Sequence, residues 1–410
     1  MLMENQLPIS LEDVERAHDR IKAHIFRSPC THSQLLSDQY GCDVYLKLDN
    51  MQSTGSFKER GAANKLALLT KEERDRGVIA ASAGNHAQAI AFHGERLGIS
   101  TKIVMPEGTP LVKVTRTRDF GGEVVLHGAN YDEAYKHALT LQAREGRTFV
   151  HPFDDPAIMA GQGTIALEIL EQIPDVDMIV SAIGGGGLIS GILTVVRGKR
   201  PEIEVIGVEP EVLPSMKTSF ERGRVVQVPE GQTLADGIAV RKVGKLTYQH
   251  VKAQIDEIVT VSENEFARAI LVLLEQEKTL AEGAGAAPLA ALMAGKIHVT
   301  GKKICLCICG GNIDVNLIAR IIERGLVATG RLCRLTVRIT DSPGALAQIL
   351  TVVGHLKANV LETYHNRTFT SGEEFGSTHV ELKLETRGEK HIEEIRHALT
   401  KSGATIIEHL

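Results

Sequence analysis

Apolar positions follow two different periods along this chain. Near the start, Leu11, Val14, Ala17, Ile21 and Ile25 share one face of a predicted helix that Ser10 can cap, with Asp13 in the supporting acidic position. From residue 78 short apolar runs take over, with VIAA at 78–81, KIVMP at 102–106 and EVVLHG at 123–128 separated by helical stretches. DMIVSAIGGGGLISGILTVV at 177–196, EVIGVEP at 204–210 and KICLCICGGN at 303–312 repeat the form, and Val44 to Leu48 adds an earlier strand. Such alternation predicts an α/β chain with parallel strands covered by helices. Ligands on such sheets bind beyond the carboxyl ends of the strands, where the glycine-rich turns of this sequence fall.

The pattern changes near Gly330. From Leu332 it reads strand (LCRLTVRIT), helix (SPGALAQILTVVGHLK), strand (ANVLETYHN), strand (HVELKLET), helix (HIEEIRHALTKS) and strand (ATIIEHL). Ser342 and Pro343 suit a helix cap and first turn. This predicts a small α+β unit of the ferredoxin-like kind.

Composition narrows the function classes. A chain of 410 residues should hold two or three domains. Its 46 basic and 51 acidic residues are well mixed, so no basic patch recruits nucleic acid or anionic lipid. The first ten residues lack the basic start and apolar run of a signal peptide, and no run of about 18 apolar residues follows, so a soluble, cytoplasmic protein without a membrane span is expected. Cys305, Cys307 and Cys309 alternate along one predicted strand, and one strand face does not surround a metal tetrahedrally. Reduced, buried thiols are the expectation.

Three stretches carry candidate chemistry. Gly184, Gly185, Gly186 and Gly187 lie between a buried strand and a helix, where open backbone N–H groups and the helix dipole suit a phosphate. Neither the P-loop nor the dinucleotide pattern matches, which points to a single phosphate on a compact ligand, with a tight packing turn as the alternative. SAGNHAQ at 82–88 opens another helix, whose N–H groups favour a carboxylate; His86 there could touch substrate or bond the backbone. In STGSFKERG at 53–61, Lys58 is either a solvated helix-start charge or an amine whose pKa is lowered by partial burial or a neighbouring cation. A phosphate cradle and a carboxylate turn in the same sheet body favour a Schiff-base lysine for pyridoxal phosphate.

With these motifs in this order, the first 325 or so residues resemble the fold type II (tryptophan-synthase-beta-like) pyridoxal phosphate enzymes. The threonine ammonia-lyase branch, with its serine dehydratase and serine racemase relatives, is the most similar. The resemblance implies two parallel-sheet, three-layer domains in residues 1–328, the smaller (about 50–149) inserted in the larger, and a tail at 331–410 that resembles an ACT domain. It implies that Lys58 holds pyridoxal 5'-phosphate, that Phe57 packs beside it and that Asn85 bonds its 3-hydroxyl. Gly184 to Gly187 with Leu188 would hold the phosphate, and Ser82, Ala83, Gly84, Asn85 and His86 the amino acid carboxylate. Cys309 would face the pyridine nitrogen, where many relatives have serine. A neutral group there makes the ring a weaker electron sink and favours prompt β-elimination.

The implied reaction turns L-threonine into 2-oxobutyrate, or L-serine into pyruvate, with release of ammonia. Ala83 stands where the racemase pattern has a second serine, so racemisation should be weak; a serine-preferring dehydratase or a serine racemase is the alternative. One methyl group gives only ~1–3 kcal/mol of discrimination, so both substrates are expected, threonine preferred. Phe153, Asp154 and the stretch 234–240 resemble the active-site wall. Glu209 matches the start of a cation loop whose later acid is replaced by Ser215, which leaves no firm metal site. Glu282 could face the cofactor or cap its helix. For the tail the resemblance implies an isoleucine or valine effector, with isoleucine inhibition the sense of the biosynthetic type, in a homotetramer or homodimer; pure subunit assembly is the alternative.

Overall fold

The computed structural model describes residues 7–366 and 376–407. The chain divides into two compact units, Met1–Ile313 and Asp314–Leu410. The first unit contains a six-stranded sheet whose spatial order is Cys30–His32, Asp43–Lys47, Lys303–Cys307, Met178–Ala182, Glu204–Pro210, Glu257–Val261. All neighbours are parallel except the edge strand Cys30–His32. A second, four-stranded parallel sheet runs Glu123–Leu126, Thr101–Met105, Val78–Ala81, Thr148–Phe149. Its strands all fall in sequence between Asp43–Lys47 and Met178–Ala182, so one lobe is looped out of the other. Met178–Ala182 and Val78–Ala81 are buried at every position, as parallel strands covered on both faces must be.

The first helix, Leu11–Ile21, carries the expected capping box between Ser10 and Asp13. It stops four residues before Ile25, because the chain turns at Lys22 to His24; Ile25 is still buried, so the apolar period had marked its burial and not its helicity. The helix Pro156–Gln172 crosses Gly187–Lys199 at backbone contact. A Cβ on Gly191 would sit 2.4 Å from the Gly163 nitrogen, so only glycine permits this approach. That crossing seats the helix behind the polyglycine turn.

Beneath the helix Lys58–Ala67 lies a buried ionic cluster. The Arg60 guanidinium donates to both oxygens of Asp49 (2.7 and 2.9 Å) and both of Glu168 (2.6 and 2.9 Å). Lys47 Nζ, fully buried, adds a 2.6 Å bond to Glu168 and another to the Ser28 carbonyl. Each charge is desolvated, and only this mutual pairing makes its burial tolerable.

In the second unit the helix Val315–Ala328 precedes an antiparallel sheet ordered Asn359–Asn366, Ser377–Glu385, Leu332–Thr340, Thr405–Ile407. Leu335, Val337, Val380 and Leu382 pack there with Val353 and Ile395 of the helices Ala345–His355 and Glu389–Lys401. The first of these helices begins at Ala345 and not at Pro343. Gly344, in the left-handed region at φ +89°, occupies the cap position and leaves Ser342 and Pro343 in the preceding turn. The end of the final predicted strand, residues 408–410, lies outside the described residues, as do residues 1–6 of the leading segment. Among the described residues no helix is long and apolar enough to cross a membrane.

Glu168→Ala should strand Arg60 and Lys47 in the core and lower the unfolding free energy by about 3–5 kcal/mol, measurable by urea denaturation.

Candidate active site

The lysine-bearing loop is laced to the turn that follows the central strand Lys303–Cys307. Phe57 N–H donates to the Cys309 carbonyl (3.0 Å), Gly311 N–H donates to the Gly55 carbonyl (2.9 Å), and Ser56 bridges Gly310. Gly55 adopts φ +75° with Asn312 against it; a Cβ there would fall 2.6 Å from Asn312 Oδ1. So anchored, Lys58 opens its helix with Nζ donating to the Pro152 carbonyl at 2.8 Å and lying 5.3 Å from the centre of the Phe57 ring. Lys58 keeps some accessible surface, yet protein encloses its ammonium closely enough that burial lowers its pKa to about 8, against the opposing pull of Glu282. At pH 7 roughly a tenth of such amines are neutral, against well under a thousandth for an ordinary lysine near 10.4.

The polyglycine turn is reached from the same Pro152 segment. The ring of Phe153 fills the space beside Gly185, where a Cβ would fall 2.2 Å from it, and Phe153 backbone flanks Gly187. Gly186 takes φ +96° with Met216 and Thr247 against it. Thr247 Oγ1 donates to the Gly185 carbonyl at 2.6 Å. Asp154, expected on the site wall, instead accepts the N–H groups of Lys245, Leu246 and Thr247 and so caps the helix Lys245–Gln254 that holds the turn. Among the described residues no acceptor faces the N–H of Gly184, Gly185, Gly186, Gly187, Leu188 or Ile189; Ser190 is the first to bond, to the Gly186 carbonyl. All but Gly184 are buried, and the cap, being glycine, offers no side chain. A helix normally leaves its first N–H groups open, but buried donors are ordinarily satisfied. This run of donors calls for an anion.

A second set of open donors lies at Ser82 to His86, between the strand Val78–Ala81 and the helix Asn85–Leu97. Gly84 N–H bonds Ser82 Oγ, whereas Ala83, Asn85 and His86 N–H have no acceptor among the described residues. A Cβ on Gly84 would meet nothing within 4 Å, so the turn borders open space. His86 is buried with Nε2 at 3.0 Å from the Val150 carbonyl, and burial together with Lys58 pushes its pKa down to about 3. It is therefore neutral and bound to the backbone, the structural alternative of the two. The Asn85 side chain donates to Glu282 Oε1 (2.7 Å) and accepts from Asn312 Nδ2 (2.8 Å).

Asn312 was not singled out from the sequence, although it ends the GGN turn beside Cys309. Cys309 is 3% exposed and packs with Cys305 and Cys307 on one face of the main core; hydrogen bonding along the cysteine row, Cys305 with Cys307 and Cys307 with Cys309, and then burial push the Cys305 and Cys307 thiols well above the usual range. Glu209 is fully buried and accepts the N–H groups of Met216 and Lys217, both at 2.8 Å, at the start of the helix Ser215–Glu221. Its pKa is pushed up to about 7 by desolvation. Among the described residues no group of three or more His, Cys, Asp or Glu could hold a metal ion.

A lysine amine and a buried phosphate-sized cradle on a two-lobed parallel α/β frame define a class of lysine-tethered phosphate cofactor proteins. Residues 21–310 match the pyridoxal-phosphate dependent enzyme family, and the chain belongs to it. It is 51% identical over 395 residues to L-threonine ammonia-lyase of Thermotoga maritima, covering 96% of this chain and 98% of that protein. Among solved structures, the processed form of threonine deaminase isoform 2 from Solanum lycopersicum superposes with a TM-score of 0.72 at 36% identity, over 79% of this chain and 96% of that one. Maize serine racemase gives a TM-score of 0.74 at 29% identity, over 78% of this chain and 99% of that one. The residues present fit pyridoxal phosphate, since the unpaired N–H run suits its phosphate and the desolvated Lys58 amine its aldehyde.

Gly185→Ala would drive a methyl into the Phe153 ring and should destabilise the protein by about 1–3 kcal/mol, read by thermal unfolding of the cofactor-free protein.

Proposed function

We propose that the protein is a pyridoxal-phosphate-dependent threonine ammonia-lyase that converts L-threonine, and less efficiently L-serine, to the 2-oxo acid and ammonia. The observation that carries the chemistry is the partly neutral Lys58 amine bonded to the Pro152 carbonyl, one residue from the ring that abuts the unpaired N–H run. Likeness to L-threonine ammonia-lyases over nearly the whole chain supports threonine as substrate.

Pyridoxal phosphate, when bound, supplies the electron sink that allows an amino acid to lose its Cα proton and then its β-hydroxyl. Lys58 would tether it and, as a free amine, would take the Cα proton of the substrate, a task suited to an amine poised near neutrality. The N–H groups of Gly184, Gly185, Gly186, Gly187 and Leu188 hold the phosphate, with the helix dipole in support. Those of Ala83, Asn85 and His86, with Ser82 and Gly84 shaping the turn, hold the substrate carboxylate. Asn85 would bond the 3-hydroxyl and Phe57 would flank the ring. Cys309 would face the pyridine nitrogen. Ala83 packs its methyl against the smaller lobe's core and supplies no base on the opposite face, which supports elimination over racemisation.

The second unit supports regulation by a small amino acid, isoleucine or valine. Its exposed turn from Asp341 to Gly344 precedes a helix with open N–H groups. A homotetramer or homodimer is the assembly we assign.

Lys58→Ala should abolish 2-oxobutyrate formation from threonine in a coupled oxo acid assay; substantial remaining turnover would sink the mechanism. Because burial lowers the Lys58 pKa, its reactive neutral form grows as pH rises through about 8. Cofactor uptake by the cofactor-free protein, followed by visible absorbance, should therefore accelerate up to that pH and then level off. Adding isoleucine to the threonine assay should inhibit turnover, and removing residues 331–410 should relieve that inhibition.

A further inference from the structure

We infer that Glu282 and Asn312 are positioning residues that fix the Asn85 amide so that an N–H, and not its carbonyl, is turned to the 3-oxygen of pyridoxal phosphate. The inference rests on the cofactor reading above and concerns what sets one contact within it.

An asparagine amide can present either end, and the neighbouring groups choose. Here the choice starts at two groups with a single polarity. The Thr54 carbonyl can only accept, and it takes Asn312 Nδ2 at 2.6 Å; the Arg116 guanidinium can only donate, and it gives to Asn312 Oδ1 at 2.8 Å. Asn312 is thereby locked with its second Nδ2 hydrogen on Asn85 Oδ1. That occupies the carbonyl end of Asn85, so its Nδ2 is left to face Glu282 Oε1 at 2.7 Å. The remaining hydrogen on that nitrogen has no partner among the described residues.

Glu282 is placed for this task by its backbone. Its N–H donates to the Gly310 carbonyl, and its side chain makes no capping bond to the helix Gly283–Met293 that it precedes. A Cβ on Gly310 would fall 2.2 Å from Glu282 Oε1, and one on Gly237 at 3.0 Å, so glycines on two segments make room for the carboxylate. Burial and Asp236 push its pKa up to about 7, while Asn85, Lys113 and the Asn312 backbone pull the other way, and Lys58 lies within its field. Lys113 also pairs with Asp236 at 2.6 Å, so both lobes meet around the clamp. In the ionised form Glu282 can only accept, which holds Asn85 in the donating orientation.

The test measures pyridoxal phosphate dissociation by equilibrium dialysis, with turnover as a second readout, in buffer more alkaline than the Glu282 pKa of about 7. Glu282→Ala and Asn85→Ala should each weaken retention roughly 5- to 30-fold, the span of one lost hydrogen bond of this kind. The double variant should be no weaker than the worse single, because the two residues act through one contact. Glu282→Gln, which can still accept, should stay near the wild type. Asn312→Asp removes the donor that fixes Asn85 and should weaken retention comparably, which keeps the test open if Glu282→Ala fails to fold. Wild-type affinity in Glu282→Ala and Asn312→Asp, full additivity in the double variant, or Glu282→Gln as weak as Glu282→Ala would overturn the inference. A wild-type protein that takes up no cofactor would overturn the underlying reading as well.

Discussion

Arg60 holds Asp49 and Glu168 together in a core where none of the three could stay charged alone. Lys47 completes the balance on the far side of Glu168. The cluster lies one half-turn along the helix from Lys58, and it joins that helix to the end of strand Asp43–Lys47 and to the helix Pro156–Gln172. Breaking any member leaves a desolvated charge, so the geometry is held by the cost of every alternative. Lys58 therefore starts from a fixed base, and its pKa follows from where that base sets the ammonium.

The site itself is organised by unsatisfied donors. Among the described residues, two strand-to-helix turns leave backbone N–H groups without acceptors, one at Gly184 to Ile189, buried beyond Gly184, and one at Ala83, Asn85 and His86 beside open space. The first suits a phosphate locked in place, and the second a carboxylate that must come and go. Packing requires the glycines at 184–187, because a Cβ on any of them would press against Phe153, Met216, Thr247 or Ile238. The two alternatives for that turn are thus compatible: tight packing against Phe153 is what presents the donors.

Three residues show how function and framework are divided. His86 sits in the turn from Ser82 to His86 proposed for the substrate, yet its ring bonds the Val150 carbonyl and stays neutral. Asp154 is adjacent to the Phe153 ring, yet its carboxylate caps the helix that steadies the glycine turn. Glu209, a plausible cation ligand by motif, spends both oxygens on helix N–H groups. Each is polar and near a site, and each satisfies backbone groups of the fold: His86 a carbonyl acceptor, Asp154 and Glu209 helix N–H donors.

Sequence alone determined the α/β alternation, the separate antiparallel tail, and the small set of chemistry-bearing residues around Lys58, Asn85 and the four glycines. These are local matters, since buried parallel strands need apolar runs and close turns need glycine. It could not place Ile25 outside the first helix or start the tail helix at Ala345, where capping and a left-handed Gly344 decided the boundary. Nor could it find the Lys47, Asp49, Arg60 and Glu168 cluster, or the Thr54, Asn312, Asn85 and Glu282 relay, whose partners are up to 258 positions apart. Charge pairing and amide orientation depend on which groups meet in space, and only the tertiary structure brings them together.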